Sequence, residues 1–221
     1  MIPETRADEV VGEARWPMAA AVIVLIGLMF LLPEGVQLAW PWLIPAVEGV
    51  LLVVLILGDP GEINIRSKRL RVFSMALVSV LVVTTTLWTV RLIGSLIRGD
   101  AWTNSARELL VGAGAVWVGS NIAFALLYWD LDSGGAANRA HGLPAHPDLA
   151  FPQQMKEEIA PPNWRPRFID YLYLGFTNAT AFSPTDTMPL APWAKIAMAL
   201  QSLISLASIG LVGARAVNVF S

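Results

Sequence analysis

The chain has 221 residues, of which 55% are hydrophobic and 14% are charged. A soluble domain carries roughly a quarter charged residues, so this composition is typical of a protein that resides in lipid. A formal net charge of −2 gives no electrostatic basis for nucleic-acid binding, and the absence of cysteine excludes disulfides, thiolate metal sites and cysteine nucleophiles. We expect one membrane domain over residues 1–221.

A polar tail at residues 1–15 is followed by long apolar runs. They predict transmembrane helices at about residues 16–32, 42–57, 72–97, 109–129 and 193–220. The first two runs are near the lower limit of length for crossing ~30 Å of hydrocarbon, and the others are long enough. We therefore predict an all-α membrane protein of about five transmembrane helices, four of them within residues 16–129.

A polar stretch, residues 130–167, separates the fourth run from the fifth. Its Gly134-Gly135 pair and its prolines predict a loop with little regular structure. Residues 168–182 follow and are aromatic and moderately apolar. A segment of about 15 residues is too short to span a bilayer, which favours a re-entrant or interfacial helix between the fourth and fifth spans.

Basic residues are unevenly placed along the chain. Arg66, Lys68, Arg69 and Arg71 cluster after the second run, and residues 33–41 contain none. The positive-inside rule then favours a cytoplasmic N-terminus, which puts loop 130–167 inside and the C-terminus outside. The cluster is expected to act as a topological anchor, and a binding site for lipid headgroups is the alternative.

The last quarter of the chain contains, in order, Tyr173, Thr180-Ala181, Asp186 with Pro189, and Trp193-Ala194-Lys195. With these residues, the segment 171–219 resembles without a gap the pore module of the potassium-channel superfamily, in which a pore helix, a filter loop and an inner helix follow one another. The four matches are, in that order, the pore-helix aromatic position, the threonine pair, the Asp and Pro after the filter, and the start of the inner helix. This resemblance implies a re-entrant hairpin and four subunits around one cation pathway.

The filter itself departs from the family. The Thr-Val-Gly-Tyr-Gly run, whose carbonyls replace the ion's hydration shell, is here Ala181-Phe182-Ser183-Pro184-Thr185. Both glycines are absent and Pro184 lacks an N–H, so a standard potassium filter is not expected. The candidate pore and filter residues are Thr180, Ala181, Phe182, Ser183, Pro184, Thr185 and Asp186. A ring of Asp186 carboxylates from symmetric subunits would favour cations.

The topology predicted from the basic residues conflicts with the resemblance to potassium channels. Potassium channels hold the filter loop outside, whereas the charge bias puts it on the cytoplasmic side. A wider resemblance is to an uncharacterised bacterial family of small multi-pass proteins. It is carried by residues 117–128, 148–152, 168–173, 183–186 and 216–218. That family brings no established activity, and it favours a multi-pass protein of the bacterial inner membrane.

Four polar residues of the fifth run share one helical face: Gln201, Ser202, Ser205 and Ser208. Such a face could line a water-filled cavity, as an inner helix does. Hydrogen bonding between helices or to the backbone explains the same pattern at least as well.

Glu48 lies within the second run, and Arg91 lies within the third. An intramembrane carboxylate is costly and marks a candidate functional site. We expect its partner to be Arg91, Asn121 or Arg215. Glu48 has two alternative roles at this stage, a structural ion pair and a proton relay.

These patterns favour an oligomeric, channel-like membrane protein that conducts inorganic cations. Its expected partners are further copies of the same chain, four in all, and the lipid bilayer. A proton-coupled small-solute transporter using Glu48 and a non-transporting scaffold or accessory subunit are the alternatives. No catalytic triad order, phosphate loop or dinucleotide fingerprint occurs, so no enzyme is expected. Two loop histidines, His141 and His146, are too weak a pattern to predict a metal, and no cofactor is expected.

Overall fold

The computed structural model describes residues 12–38, 40–144, 146–155, 157–161, 164–181 and 186–220, which are mostly helical. The helices are α1 (Trp16–Met29), α2 (Leu43–Gly58), α3 (Lys68–Arg98), α4 (Ala106–Leu131), α5 (Ala136–Ala140), α6 (Pro152–Met155), α7 (Phe168–Ala181) and α8 (Pro192–Phe220). Strand β1 (Glu13–Ala14) pairs antiparallel with β2 (Glu62–Ile63), and β3 (Leu149–Ala150) pairs antiparallel with β4 (Met188–Pro189).

Three of the described helices are long and apolar enough to cross a membrane, namely α3, α4 with the turn after it, and α8. Helices α1 and α2 are apolar but contain 14 and 16 residues, respectively. A full span needs about 20 residues, so length alone does not assign these two as spans. The expectation of a helical protein with apolar segments of membrane length is confirmed for three of the five predicted runs.

Helix α4 forms the centre of the bundle. Its residues 119–126 are all buried, and it contacts α1, α3, α7 and α8. Gly119 permits a close approach of α3, because a Cβ at this position would lie 3.0 Å from the ring of Trp88. The side chain of Ser105 caps the helix by accepting a hydrogen bond from the Glu108 amide.

The two ends of the bundle are distinguished by their contacts. At the end that we call the basic end, Arg15 pairs with Asp59 after α2 at 3.1 Å. At the same end Arg71, in the first turn of α3, pairs with Asp130 in the last turn of α4 at 2.9 Å. Helices α1 and α3 therefore begin at the basic end, and α2 and α4 finish there.

The far end is defined by the other helix termini. Arg215, near the end of α8, donates a hydrogen bond to Asn104, just before α4. The turn after α1 reaches this end too, because a Cβ on Gly112 would lie 2.7 Å from Cδ of Pro33. The outer faces of the bundle are apolar at exposed positions such as Val83, Val90 and Leu203. Contiguous apolar surface of this kind is suited to contact with lipid.

Helix α7 begins at the basic end and finishes beside the middle of α8. Its first residue, Phe168, packs edge-on against Trp129 with ring centroids 6.2 Å apart. Near its other terminus, the carbonyl of Ala179 accepts a hydrogen bond of 2.7 Å from Ser205. The chain has returned to the basic end by β4, whose partner strand β3 directly follows Asp148.

The polar stretch 130–167 carries more regular structure than the expected loop, since it contains α5, α6, β3 and two 3₁₀ turns. The reason is tertiary. Asp132, just after α4, accepts hydrogen bonds from the backbone amides of Asp148 and Leu149 at 3.0 and 3.1 Å. These contacts hold the stretch against the basic end, and they join residues too distant in sequence to leave a local pattern.

Candidate functional site

The start and finish of the expected pore-like hairpin lie within the described part of the chain. Thr180 is exposed, and its hydroxyl donates a 2.9 Å hydrogen bond to the carbonyl of Phe176. Ala181 is the last residue of α7. Phe182, Ser183, Pro184 and Thr185 lie outside the described residues, so the expected filter is not placed. Asp186 is exposed and immediately precedes the return to β4.

Helix α7 has one buried and one exposed face. Tyr171, Leu174 and Asn178 are buried against the bundle, whereas Tyr173 and Phe176 expose 59% and 50% of their surface. A half-length helix with an exposed aromatic face has surface left for lipid or for another subunit.

Gln201 on α8 lies at the centre of a buried polar network that joins three helices. Its Oε1 accepts hydrogen bonds from the Tyr128 hydroxyl of α4 at 2.7 Å and from Nδ2 of Asn178 on α7 at 2.8 Å. Its Nε2 donates to the carbonyl of Gly175 at 2.9 Å and approaches Oδ1 of Asn121 at 3.4 Å. Both ends of the amide are thus used inside the subunit.

The serines of the same face also find partners inside the bundle. Ser202 donates to Oδ1 of Asn178 at 3.2 Å, and Ser205 accepts from the indole of Trp117 at 3.0 Å. Ser208 donates to the carbonyl of Ile204 in its own helix at 2.8 Å. The cavity beside them measures about 10 Å³, about the space of one water molecule. These contacts are those of the hydrogen-bonding alternative, between helices for Ser202 and Ser205 and to the backbone of α8 for Ser208. A pore-lining role stays a prediction.

Glu48 is fully buried in α2, and neither carboxylate oxygen has a hydrogen-bond partner among the described residues. The expected partners are engaged elsewhere. Arg91 donates to the carbonyl of Gln37 at 2.5 Å, Asn121 donates to the Trp117 carbonyl at 2.8 Å, and Arg215 bonds to Asn104. The predicted pairing of Glu48 is therefore wrong for the described chain.

The packing of α2 against α3 explains why Arg91 does not reach Glu48. At the basic end, a Cβ on Gly58 would lie 2.4 Å from Leu70. Toward the far end, Trp42 shares a cavity with Trp88. Glu48 lies between these two levels, and Arg91 lies beyond Trp88.

A second cluster of buried charge at the basic end was not expected from the sequence. Arg139 of α5 donates to the carbonyls of Trp129 and Asp132 at 2.8 and 2.7 Å, and its guanidinium lies 5.0 Å from the ring centre of Tyr171. The Tyr171 hydroxyl donates to Oδ2 of Asp132 at 2.5 Å. This cluster fixes the start of α7 against the end of α4.

Glu13 completes this cluster. Its carboxylate accepts hydrogen bonds from the indole of Trp129 at 2.8 Å and from the backbone amide of Phe168, and lies 3.8 Å from Arg139. Burial raises the pKa of Glu13, and the two hydrogen bonds oppose that rise. The available sequence signal was Asp132-Ser133-Gly134-Gly135, a polar helix terminus followed by two glycines. It marks a turn but not its partners.

The loop histidines form no metal site with the residues described around them. A ring nitrogen of His141 lies 3.1 Å from the carbonyl oxygen of Asn64. Across the described ranges, no three His, Cys, Asp or Glu side chains are close enough together to hold a metal ion.

Comparison of the chain with models of protein families, with curated proteins and with solved structures finds no match.

Proposed function

We propose that the chain is a five-span membrane protein in which α7 and the segment after it form a re-entrant, pore-type hairpin, and that an oligomer of it conducts inorganic cations. The observation that carries this proposal is the placement of α7. The helix begins at the basic end, finishes beside Ser205 at the middle of α8, and is followed by a strand that is again at the basic end.

The depth covered by α1 supports the count of five spans. Glu13, just before α1, bonds to Trp129 near one end of α4, and Pro33, just after α1, packs against Gly112 near the other. The distance from Gly112 to Trp129 along α4 is about 26 Å by helical rise. That is close to the ~30 Å of a hydrocarbon core, so α1 and its antiparallel neighbour α2 cover the depth of a span despite their short helices.

Asp186 supports cation conduction. It is exposed at the mouth of the hairpin, and four copies around an axis would form a ring of carboxylates. The exposed aromatic face of α7 offers surface for neighbouring subunits. The bias of basic residues predicts that the basic end faces the cytoplasm in a bacterial inner membrane. The pore would then be inverted relative to potassium channels.

Flux through liposomes tests the proposal. We expect purified protein to release trapped K⁺ or Na⁺, and Asp186→Asn to lower the rate about tenfold, because the ring loses its charge. Glu158→Gln is the matched control, since Glu158 is also an exposed carboxylate but lies outside the hairpin. Absence of flux in the wild type, with a known channel active in the same vesicles, contradicts cation conduction.

Oligomeric state is a second, independent test. A pore on a symmetry axis requires several subunits, and the potassium-channel likeness specifies four. Mass measurement in mild detergent or in nanodiscs should give a tetramer. A stable monomer under conditions that preserve flux would rule out a shared axial pore.

Glu48 favours a second candidate function, a proton-coupled transporter of small solutes. A buried carboxylate without a partner is costly, so we expect this group to hold a proton or a bound cation. Proton movement into liposomes, followed with a trapped pH dye, should be lost in Glu48→Gln and kept in Glu34→Gln, whose parent side chain is exposed. Equal proton movement in the wild type, Glu48→Gln and Glu34→Gln would contradict this function.

A further inference from the structure

A cavity of about 780 Å³ opens at the basic end, where α2 finishes and α3 begins. Its walls come from the α2–α3 connection and from the turn between α4 and α5. The polar and charged residues that line the cavity are Arg15, Asp59, Arg66, Ser67, Lys68, Arg71, Ser74, Asp130 and Asn138. No residue of α7, β4 or α8 lines it.

The charges of this cavity do not cancel. Arg15 is neutralised by Asp59, and Arg71 by Asp130. Arg66 and Lys68 are left over, because neither forms an ion pair with a carboxylate of the described chain. Arg66 donates to the amide oxygen of Asn138 at 3.2 Å, which holds its guanidinium at the wall. The excess of two positive charges suits an anion.

One acceptor in the cavity is also unused. Oδ2 of Asp130 is buried and has no hydrogen-bond partner within the described ranges, whereas Oδ1 bonds to Ser74 and Arg71. A ligand that carries both a phosphate and a hydroxyl would satisfy the basic pair and this oxygen together.

The position of the cavity indicates where such an anion comes from. Leu55, Ile63 and Leu70 form part of its wall. Directly beside it, the last turn of α2 and the first turns of α3 expose apolar side chains, with Leu57 76% and Val72 63% exposed. Phosphate-binding groups directly above an apolar outer face match the arrangement of a phospholipid, whose headgroup lies at the interface and whose chains lie in hydrocarbon.

We propose that this cavity binds the headgroup of an anionic phospholipid. Arg66 and Lys68 hold the phosphate, Asp130 accepts a hydrogen bond from a headgroup hydroxyl, and the acyl chains lie along Leu57 and Val72. Bound in this way, the lipid fastens the α2–α3 connection to the turn that begins α5.

Native mass spectrometry of the full chain in mild detergent tests the site. Phosphatidylglycerol should form a retained adduct, and phosphatidylcholine should bind much more weakly. Each basic side chain near an anionic headgroup contributes roughly fivefold in affinity, so Arg66→Gln/Lys68→Gln should lose about 25-fold. Arg69→Gln/Lys195→Gln is the matched control, because it removes two exposed charges that do not line the cavity.

The outcomes are decisive in both directions. Selective loss of the phosphatidylglycerol adduct in the Arg66/Lys68 pair, with unchanged melting temperature in phosphatidylcholine, supports the site. Equal loss in both double variants shows diffuse attraction and overturns it. Competition with inorganic phosphate is the last experiment. If millimolar phosphate displaces the lipid and raises the melting temperature as far as the lipid does, the site binds a soluble anion and the lipid proposal fails.

Discussion

The Tyr128 hydroxyl donates a 2.7 Å hydrogen bond to Oε1 of Gln201, and both residues are buried. The same oxygen accepts from Asn178, so one amide joins α4, α7 and α8. Without water to compete, such a polar junction specifies which helix faces meet. It also fixes how deep α7 extends, since Asn178 is three residues from the terminus of that helix.

Gln201→Leu should therefore destabilise the bundle. The substitution removes the acceptor of the Tyr128 hydroxyl and one of the two acceptors of the Asn178 amide, which still donates to the Met198 carbonyl. We expect a loss of about 2 kcal/mol in free energy of unfolding. Thermal unfolding in detergent measures it. Ser208→Ala is the control, because that hydroxyl bonds within its own helix and its removal should change little. Equal melting temperatures for Gln201→Leu and wild type would contradict a structural role for the network.

Helix positions were predictable from the sequence, whereas the polar contacts were not. Each apolar run coincides with a helix to within about one turn, because hydropathy over many residues reports burial in lipid or protein directly. Residues 168–182 were expected as a short helix, and α7 spans Phe168–Ala181. A bond such as that between Glu13 and Trp129 joins residues more than 100 positions apart and leaves no local pattern.

The wrong prediction of a partner for Glu48 illustrates the same limit. Arg91 was a reasonable candidate from charge alone, but the level at which α2 meets α3 decides the pairing. That level depends on close contacts such as Gly58 with Leu70, which composition does not encode. The reach of Arg91 to the Gln37 carbonyl follows from the position of the turn after α1.

Asp132→Ala should release the polar stretch from the end of α4. The carboxylate accepts from the amides of Asp148 and Leu149 and from the Tyr171 hydroxyl, so its removal leaves buried donors unpaired at a cost of about 3 kcal/mol. Limited proteolysis within residues 141–155 should become faster. Asp132→Asn should restore most of the protection, since its oxygen can accept from the amides while its NH₂ donates to the phenol oxygen. Unchanged proteolysis in Asp132→Ala would show that other contacts hold this stretch.

Gly135→Ala tests the turn that encloses Arg71. Gly135 has φ +98°, and a Cβ there would lie 2.6 Å from Nη1 of Arg71. We expect a loss of about 2–3 kcal/mol from backbone strain and displacement of the Arg71–Asp130 pair. Gly142→Ala is the comparison without a clash, because Gly142 also has a positive φ, +68°, and nothing lies within 4 Å of its Cβ position. A melting temperature for Gly135→Ala equal to that of Gly142→Ala would exclude the steric contribution.

The stability of the basic end should depend on pH through Glu13. Burial raises its pKa above the ordinary 4.5, so the folded chain holds this proton more firmly than the unfolded chain does. The resulting stability is complete below pH 4.5 and is lost as the pH rises through the raised pKa. The melting temperature of the wild type should fall over that interval more steeply than that of Glu13→Gln. Glu62→Gln, from an exposed position on the paired strand β2, should follow the wild type. Parallel curves for wild type and Glu13→Gln would remove Glu13 as the cause.

Membrane topology provides the last test, because α8 begins at the basic end and Arg215 lies at the far end. If the basic end faces the cytoplasm, as the distribution of Lys and Arg predicts, a reporter fused after residue 221 is outside. Alkaline phosphatase, which folds only after export, should then be active there, and green fluorescent protein should be dark. Fusion of the same reporters within residues 141–146, in the connection after α5, should give the opposite result. A fluorescent fusion after residue 221 would instead put the proposed pore-type hairpin outside, in the orientation of potassium channels, and would overturn the charge-based assignment.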